Sequence, residues 1–281
     1  MKRTRTLPEN LARIASLLGI LLIALLALFP VYWMLHISTL PEKEVLRIIP
    51  HYFPKPQLLT MKAYQDIFTK HSIFRYLMNS ILICALATVL SLTLSISMAY
   101  SLTKFNFKIK RFLLYLIIWM LTLPWVVYVL PIFRVVSGIG LLDTRLLMIL
   151  LYGFSGIPMF TWFALPFLHD FPNEIIDAAR LDGCSEIRIV GQIVTPTLRN
   201  AIIALFLLRF IWAYNDLLFS LSFTFHKAKM ILPAILEFPG IFETPFAKMA
   251  AGGVISVTPI ILMVTMMQKY IVSGLTGRTI K

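Results

Sequence analysis

Few side chains of this 281-residue chain have the type and spacing for covalent chemistry. Gly153-Phe154-Ser155-Gly156 has the form of a serine nucleophile set between glycines. Such a serine needs a base within hydrogen-bond reach. The five histidines, His36, His51, His71, His169 and His226, fall at the ends of apolar runs or between them, and the last run, 249–268, holds none. Close helix packing is the plainer use of these glycines. Histidines and the two cysteines, Cys84 and Cys184, show no H-x-x-x-H or C-x-x-C spacing, so no metal site is expected. The G-x-x-x-x-G-K-[ST] phosphate cradle is absent too. The expectation is a chain with no catalytic residue, no bound cofactor and no ATPase site of its own.

Two other groupings remain. Arg209 and Asp216 stand seven residues apart in an otherwise uncharged run. On one helix that is nearly two turns, so both would share a face about 10 Å apart. Charges inside a membrane segment usually face a cavity or a partner helix. Trp212, Tyr214 and Asn215 lie beside them, and the face reads equally as a polar path or as a structural contact between helices. The second grouping is residues 172–198, PNEIIDAARLDGCSEIRIVGQIVTPTL. A helix is expected from Asn173, its N-cap, with Glu174 and Asp177 charging the start. Gly183 should end it in the left-handed conformation. A second short helix should run from Ser185 to Val194, and Pro196 should stop it.

These groups must be held by membrane helices. The chain is 59% hydrophobic and 14% charged, with mean hydropathy +0.83. A soluble domain has about 45–50% apolar and about 25% charged residues, so water-soluble and disordered classes are excluded. Apolar stretches of about 20 residues predict six transmembrane helices, near 14–36, 76–103, 112–133, 146–169, 200–222 and 249–268. The first run is too long for a signal peptide and no small-residue cleavage site follows, so it reads as a retained span. The net charge of +13 suits lipid and cytoplasm-facing loops rather than nucleic acid, because no basic stripe with stacking aromatics occurs. The two densest basic clusters, Lys2/Arg3/Arg5/Arg13 and Lys104/Lys108/Lys110/Arg111, fall on one side. Both termini and loop 172–198 are therefore expected in the cytoplasm. Pro124 and Pro131, and Pro158 and Pro166, should kink the third and fourth spans. A surface helix is expected near Met61–Thr69, and the proline-rich loop 223–248 should turn sharply and project.

The 172–198 pattern resembles the coupling loop of importer-type ABC transporter permeases: Glu-Ala-Ala, three residues, Gly, nine residues, Ile, one residue, Leu-Pro. This chain has Asp177-Ala178-Ala179, Gly183, Ile193 and Pro196 at that spacing, with Asp177 for the glutamate and Thr195 for the leucine. Asn79-Ser80, Ala99-Tyr100-Ser101-Leu102, Gly140-Leu141-Leu142-Asp143-Thr144, Ala179-Arg180-Leu181-Asp182-Gly183, Trp212, Asn215-Asp216 and Gly274-Leu275-Thr276 extend the resemblance along nearly the whole chain. Together they look like the carbohydrate, maltose-type branch.

The resemblance implies an all-α polytopic membrane protein, one transmembrane domain over 1–281 with a cytoplasmic helix-turn-helix coupling loop, in the cytoplasmic (inner) membrane. It implies a second, different permease chain, two ATP-binding subunits that hold ATP and Mg, and an extracytoplasmic sugar-binding protein that loop 223–248 would face. Glu174, Asp177, Ala178, Ala179, Arg180, Asp182, Gly183, Ile193 and Pro196 would meet the ATPase, with Ala178 and Ala179 letting the helix seat deeply. Gly274, Leu275 and Thr276 would touch it from the tail. Arg209, Trp212, Tyr214, Asn215 and Asp216 would line the path of a sugar, which offers hydroxyls and apolar C–H faces. A glycerol-phosphate permease is the alternative cargo reading. A secondary transporter and an intramembrane serine protease rank lower, for want of midplane carboxylates and of a histidine base.

Overall fold

The computed structural model describes residues 7–238 and 245–275, with side chains for 12–238 and 245–270. Among these residues there are helices and no strands. In chain order they are α1 (Leu7–Ser38), α2 (Glu42–Val45), α3 (Lys62–Lys70), α4 (Ile73–Lys104), α5 (Lys110–Thr122), α6 (Val126–Gly138), α7 (Arg145–Ser155), α8 (Ile157–His169), α9 (Asn173–Leu181), α10 (Glu186–Arg188), α11 (Thr195–Thr197), α12 (Arg199–Tyr214), α13 (Leu218–Phe223), α14 (Ile231–Leu236) and α15 (Phe246–Leu275).

Three continuous helical stretches are long and apolar enough to cross a bilayer: Ala12–Ser38, Ile73–Lys104 and Phe246–Tyr270. Three more candidates are bent pairs. The pair α5/α6 turns by 99° and α7/α8 by 45°, while the helical turns 186–197 meet α12 at 89°. Pro124 explains the first bend, because a proline drives the residue before it into extended backbone. Leu123 has φ −79° and ψ 127°. Helices α6 and α8 run on through Pro131 and Pro166.

The expected fifth span, 200–222, is interrupted. Helix α12 stops at Tyr214, and α13 begins at Leu218. Short polar side chains compete with helical hydrogen bonds. Here the Asp216 carboxylate accepts the Phe219 N–H at 2.9 Å and so starts a new helix. Arg209 and Asp216 therefore do not share one helix face, as the periodicity predicts.

The backbone groups into two compact units, 1–72 with 235–257, and 73–234 with 258–281. In the first, the segment after α1 is tied by side chains. His36 Nε2 meets the His51 carbonyl at 2.6 Å, the Tyr32 hydroxyl donates to the Tyr52 carbonyl, and Asp66 pairs with Lys70 and Lys248. The surface helix expected near Met61–Thr69 is α3, which buries Ala63 and Ile67.

The second unit is organised by α4. Its buried side chains recur every three or four positions: Ser80, Ile83 and Cys84, Ala87 and Thr88, Ser91, Ser95, Ala99. Half of the buried side chains on α4 are small, which lets α7, α8 and α12 approach closely. Gly153 answers them from α7, where a Cβ would come within 2.5 Å of the Leu90 side chain.

One connection was missed from the sequence. Asp143 has φ +57° and its carboxylate accepts the consecutive N–H groups of Phe225, His226, Lys227 and Ala228 at 2.8–3.1 Å. Asn79 Nδ2 donates to the Lys227 and Lys229 carbonyls, and its Oδ1 accepts Arg145 Nε. Ser80 Oγ accepts the Ile231 N–H. Three polar residues thus grip the backbone of 225–231 and hold it across the ends of α4 and α7.

Candidate functional site

Helix α9 starts one residue differently from the expectation. Pro172, with φ −59° and ψ 129°, takes the N-cap position, and Asn173 is the first helical residue. Proline is preset for that entry. The Asn173 amide is engaged elsewhere, accepting Lys104 Nζ at 2.8 Å.

The helix divides cleanly. Ile176 and Ala179 are buried in one apolar cluster with Ala99, Tyr100, Leu168 and Phe171. Ala179 therefore packs against its own chain and is not available to a partner, contrary to the expectation. Glu174, Asp177 and Ala178 form the outer face. Two large apolar side chains stand almost free, Leu181 at the end of α9 at 90% and Ile187 on α10 at 87% exposure.

Gly183 closes α9 with φ +80°. The Cys184 N–H returns to the Ala179 carbonyl and the Gly183 N–H to Arg180, both at 3.0 Å. This is the paired C-terminal bonding that a left-handed glycine permits. Arg180 spans the turn, donating from Nε to Glu186 at 2.8 Å and from Nη1 to Asp177 at 3.1 Å. Asp182 is exposed.

The second half is less regular than the expected helix Ser185–Val194. Ser185 precedes α10 in extended conformation but makes no side-chain cap. Wider turns follow over Ile189–Val194, where Ile189 and Val194 are buried and Ile193 is partly so. Pro196 does not stop the chain. Helical backbone runs through it, from the wider turns before it to Thr197. The break falls at Leu198, with ψ 15°.

The other grouping surrounds a cavity of about 210 Å³. Trp125 and Trp212 form walls, with Ser155, Arg209, Asn215 and Asp216 supplying polar groups. A larger, mainly apolar hollow of about 570 Å³ shares Trp125, Trp212 and Ser155 and adds Tyr128 and Trp162. Arg209 is only 4% exposed. Its guanidinium donates to the Tyr152 carbonyl and to Ser155 Oγ, and lies 5.8 Å from the Phe160 ring centroid. Asp216 accepts the Tyr152 hydroxyl at 2.9 Å. Both charges are thus organised by one tyrosine of α7, which sequence spacing did not single out.

Tyr214 departs from the expectation: it is 1% exposed and stacks on Phe210, 5.6 Å between centroids, within the packed interior. A tryptophan or tyrosine near a charge is visible in sequence, but only the packing of α12 decides which aromatic turns to the cavity. Ser155 Oγ donates to the Tyr152 carbonyl at 3.2 Å and accepts from Arg209. Neither neighbour is a general base. No group of three or more metal-ligating side chains occurs among the described residues. Gly274 and Leu275 end α15, and Thr276 lies outside the described residues.

A family model described as "Binding-protein-dependent transport system inner membrane component" matches residues 91–277. The trehalose/maltose transport system permease protein MalG of Thermococcus litoralis is 29% identical over 280 residues, 97% of this chain and 98% of that protein. The trehalose transport system permease protein SugB of Mycobacterium tuberculosis is 32% identical over 260 residues, 91% of this chain and 93% of that protein. Among solved structures, a chain of a bacterial ABC transporter involved in the import of the acidic polysaccharide alginate superposes with TM-score 0.76 at 19% identity. That match covers 96% of this chain and 99% of the other.

Proposed function

The chain belongs to the family of binding-protein-dependent transport system inner membrane components, and we propose that it carries a sugar or oligosaccharide across the membrane as a permease subunit of an ATP-driven importer. The observation that carries the reading is the outer face of α9 and its turn. A soluble connector would not leave Leu181 and Ile187 standing in water beside Glu174 and Asp177. A docked ATPase subunit covers them, with the acids facing basic groups at its rim. Both termini and this face lie in the cytoplasm, as the basic clusters favour. The full assembly contains a second permease chain, two ATPase subunits that bind ATP and Mg, and a binding protein outside. Closure of the ATPase pair moves α9, and the attached helices tilt between inward- and outward-open states.

Cargo chemistry follows from the cavity. Trp125 and Trp212 suit the apolar faces of a sugar ring, and Arg209, Asn215 and Asp216 suit its hydroxyls. A phosphate would meet the Asp216 carboxylate in the same small space. A neutral polyol is the better fit. Replacing either tryptophan by alanine is expected to raise the half-saturating sugar concentration by roughly a few-fold to tenfold, the value of one aromatic contact. Uptake of labelled sugar at a range of concentrations checks this, and unchanged saturation in both variants would remove the cavity from the path.

Purification in mild detergent, with subunit mass and ATP hydrolysis read on one sample, tests the reading as a whole. Two permease and two ATPase chains, hydrolysing ATP faster with sugar-loaded binding protein, are the expected result. A lone chain without ATPase activity would overturn it. Gly183→Val is expected to leave the chain inserted while the ATPase subunits are lost or no longer respond to sugar. A Cβ at this glycine meets nothing within 4 Å. The penalty is therefore backbone strain, about 1–2 kcal/mol, and it falls on the turn that sets the angle between α9 and α10. Wild-type transport by this variant would sink the coupling assignment.

A further inference from the structure

Two polar tethers join α4 to α9, and they hold opposite ends of it. Tyr100 and Lys104 are one turn apart, so they project from the same face of α4. Lys104 Nζ donates to the Phe171 carbonyl at 2.6 Å and to Asn173 Oδ1 at 2.8 Å, gripping the start of α9. The Tyr100 hydroxyl donates to Glu186 at 2.6 Å. The other oxygen of that carboxylate takes Arg180 Nε, and Arg180 reaches back to Asp177. This second tether grips the end of α9 together with the turn that follows. Phe105 backs it, lying edge-on to Tyr100 and 5.4 Å from the Arg180 guanidinium.

Between the tethers the contact is apolar: Ile176 and Ala179 with Ala99 and Tyr100. Apolar contact attracts but is non-directional. A helix held by it alone can roll when it is pushed from one end. Hydrogen bonds prefer a narrow range of angles, so two of them at separate points remove the roll. We propose that Tyr100, Arg180 and Glu186, with Lys104 at the other end, are positioning residues that make α9 and α4 one lever. The inference rests on the coupling role proposed above and names the residues that make it effective. Asp177, at the position where the family pattern has a glutamate, serves this internal lock through Arg180.

The test uses the whole complex, with both permease chains, the ATPases and the binding protein, in lipid vesicles. Sugar imported and ATP hydrolysed are measured in one preparation. Tyr100→Phe keeps the ring and removes the donor. Sugar moved per ATP is expected to fall roughly fivefold or more, the value of a hydrogen bond to a charged group, while the ATPase subunits co-purify as before. A misfolded fraction lowers both activities alike, so this ratio separates positioning from plain stability. Arg180→Glu, which breaks the pairs with Glu186 and Asp177, should fall likewise. A wild-type ratio in both Tyr100→Phe and Arg180→Glu overturns the proposal. If the wild-type complex itself moves no sugar and hydrolyses no ATP, the permease reading fails instead. The lever is then judged on the chain alone. Spin labels at Ser97 and Ala178, in a Cys184→Ser background, should give a broader distance distribution in Tyr100→Phe, and an unchanged one overturns the lever.

Discussion

Asp143→Ala is expected to loosen the whole segment 225–231. Four consecutive N–H groups lose a charged acceptor at once. Hydrogen bonds to a charged group contribute about 1.5–3 kcal/mol each when shielded. Most of these donors are exposed to water, so the set as a whole is assigned only about 2 kcal/mol rather than the sum of four. Loss of the left-handed aspartate recovers little of this, since alanine is less tolerant of φ +57°. Heating the protein in detergent while a thiol-reactive dye labels Cys84 gives the readout. Cys84 is fully buried and reports opening of the second unit once Cys184 has been replaced by serine. An unchanged labelling temperature would show that the four bonds are idle.

The same carboxylate makes stability depend on acid. Burial by itself would raise the Asp143 pKa, but the backbone N–H groups of Lys227, Phe225, Ala228 and His226 outweigh it and hold the group below its ordinary 3.8. A carboxylate with a lowered folded-state pKa stabilises above the unfolded value. That stabilisation is lost as pH falls through the folded value. The wild type should therefore lose stability below about pH 4, and Asp143→Asn should be weaker at neutral pH but flatter in acid. Parallel acid curves for the two proteins would contradict the assignment.

The second large effect is expected at Gly156, the hinge between α7 and α8. A Cβ there would run into the Arg209 guanidinium and the Ser91 hydroxyl. Both are buried, and Arg209 is pinned by Tyr152 and Ser155, so it cannot swing aside without breaking those bonds. Overfilling a packed interior costs about 1–3 kcal/mol, and displacing a buried guanidinium from its partners adds to that. Gly156→Ala is expected to lower the Cys84 labelling temperature more than any exposed substitution. Combining it with Ser91→Gly should recover part of the loss, because the two sites share one space. Simple additivity of the two changes would mean that the crowding is not where the geometry puts it. Arg209, in this account, belongs to the packing as well as to the cavity.

The positions of the helices were legible in advance because apolar length is a property of the sequence alone. A bilayer demands about 20 apolar residues whatever the fold, so the long runs announced α1, α4 and the last helix. The turn at Gly183 was equally legible. Its signals are local: a proline entry, small residues one turn later and a glycine at the exit. Each acts within a few residues of itself. The same locality explains the small errors there. Pro172 and Asn173 both favour a helix start, and the Asn173 side chain, instead of capping, is taken by Lys104, sixty-nine residues away in the chain.

Tertiary structure alone decided the rest. Periodicity assumed one helix through 200–222, but Asp216 found both a backbone donor after it and the Tyr152 hydroxyl beside it. Those two bonds, one to the main chain and one to a distant side chain, start a new helix at Leu218, while the packing of α12 puts Tyr214 inside and Trp212 at the cavity. The same holds for Asp143, Asn79 and Ser80, which bond to the main chain of 225–231. Backbone N–H and carbonyl groups are the same at every residue, so no pattern of side chains in that segment could reveal the grip. The sequence alone determined which segments are long apolar helices and which loop turns on a glycine. The meeting of distant segments determined which polar groups are locked in pairs and which are left facing the cavity, because buried polar atoms settle only where their partners are.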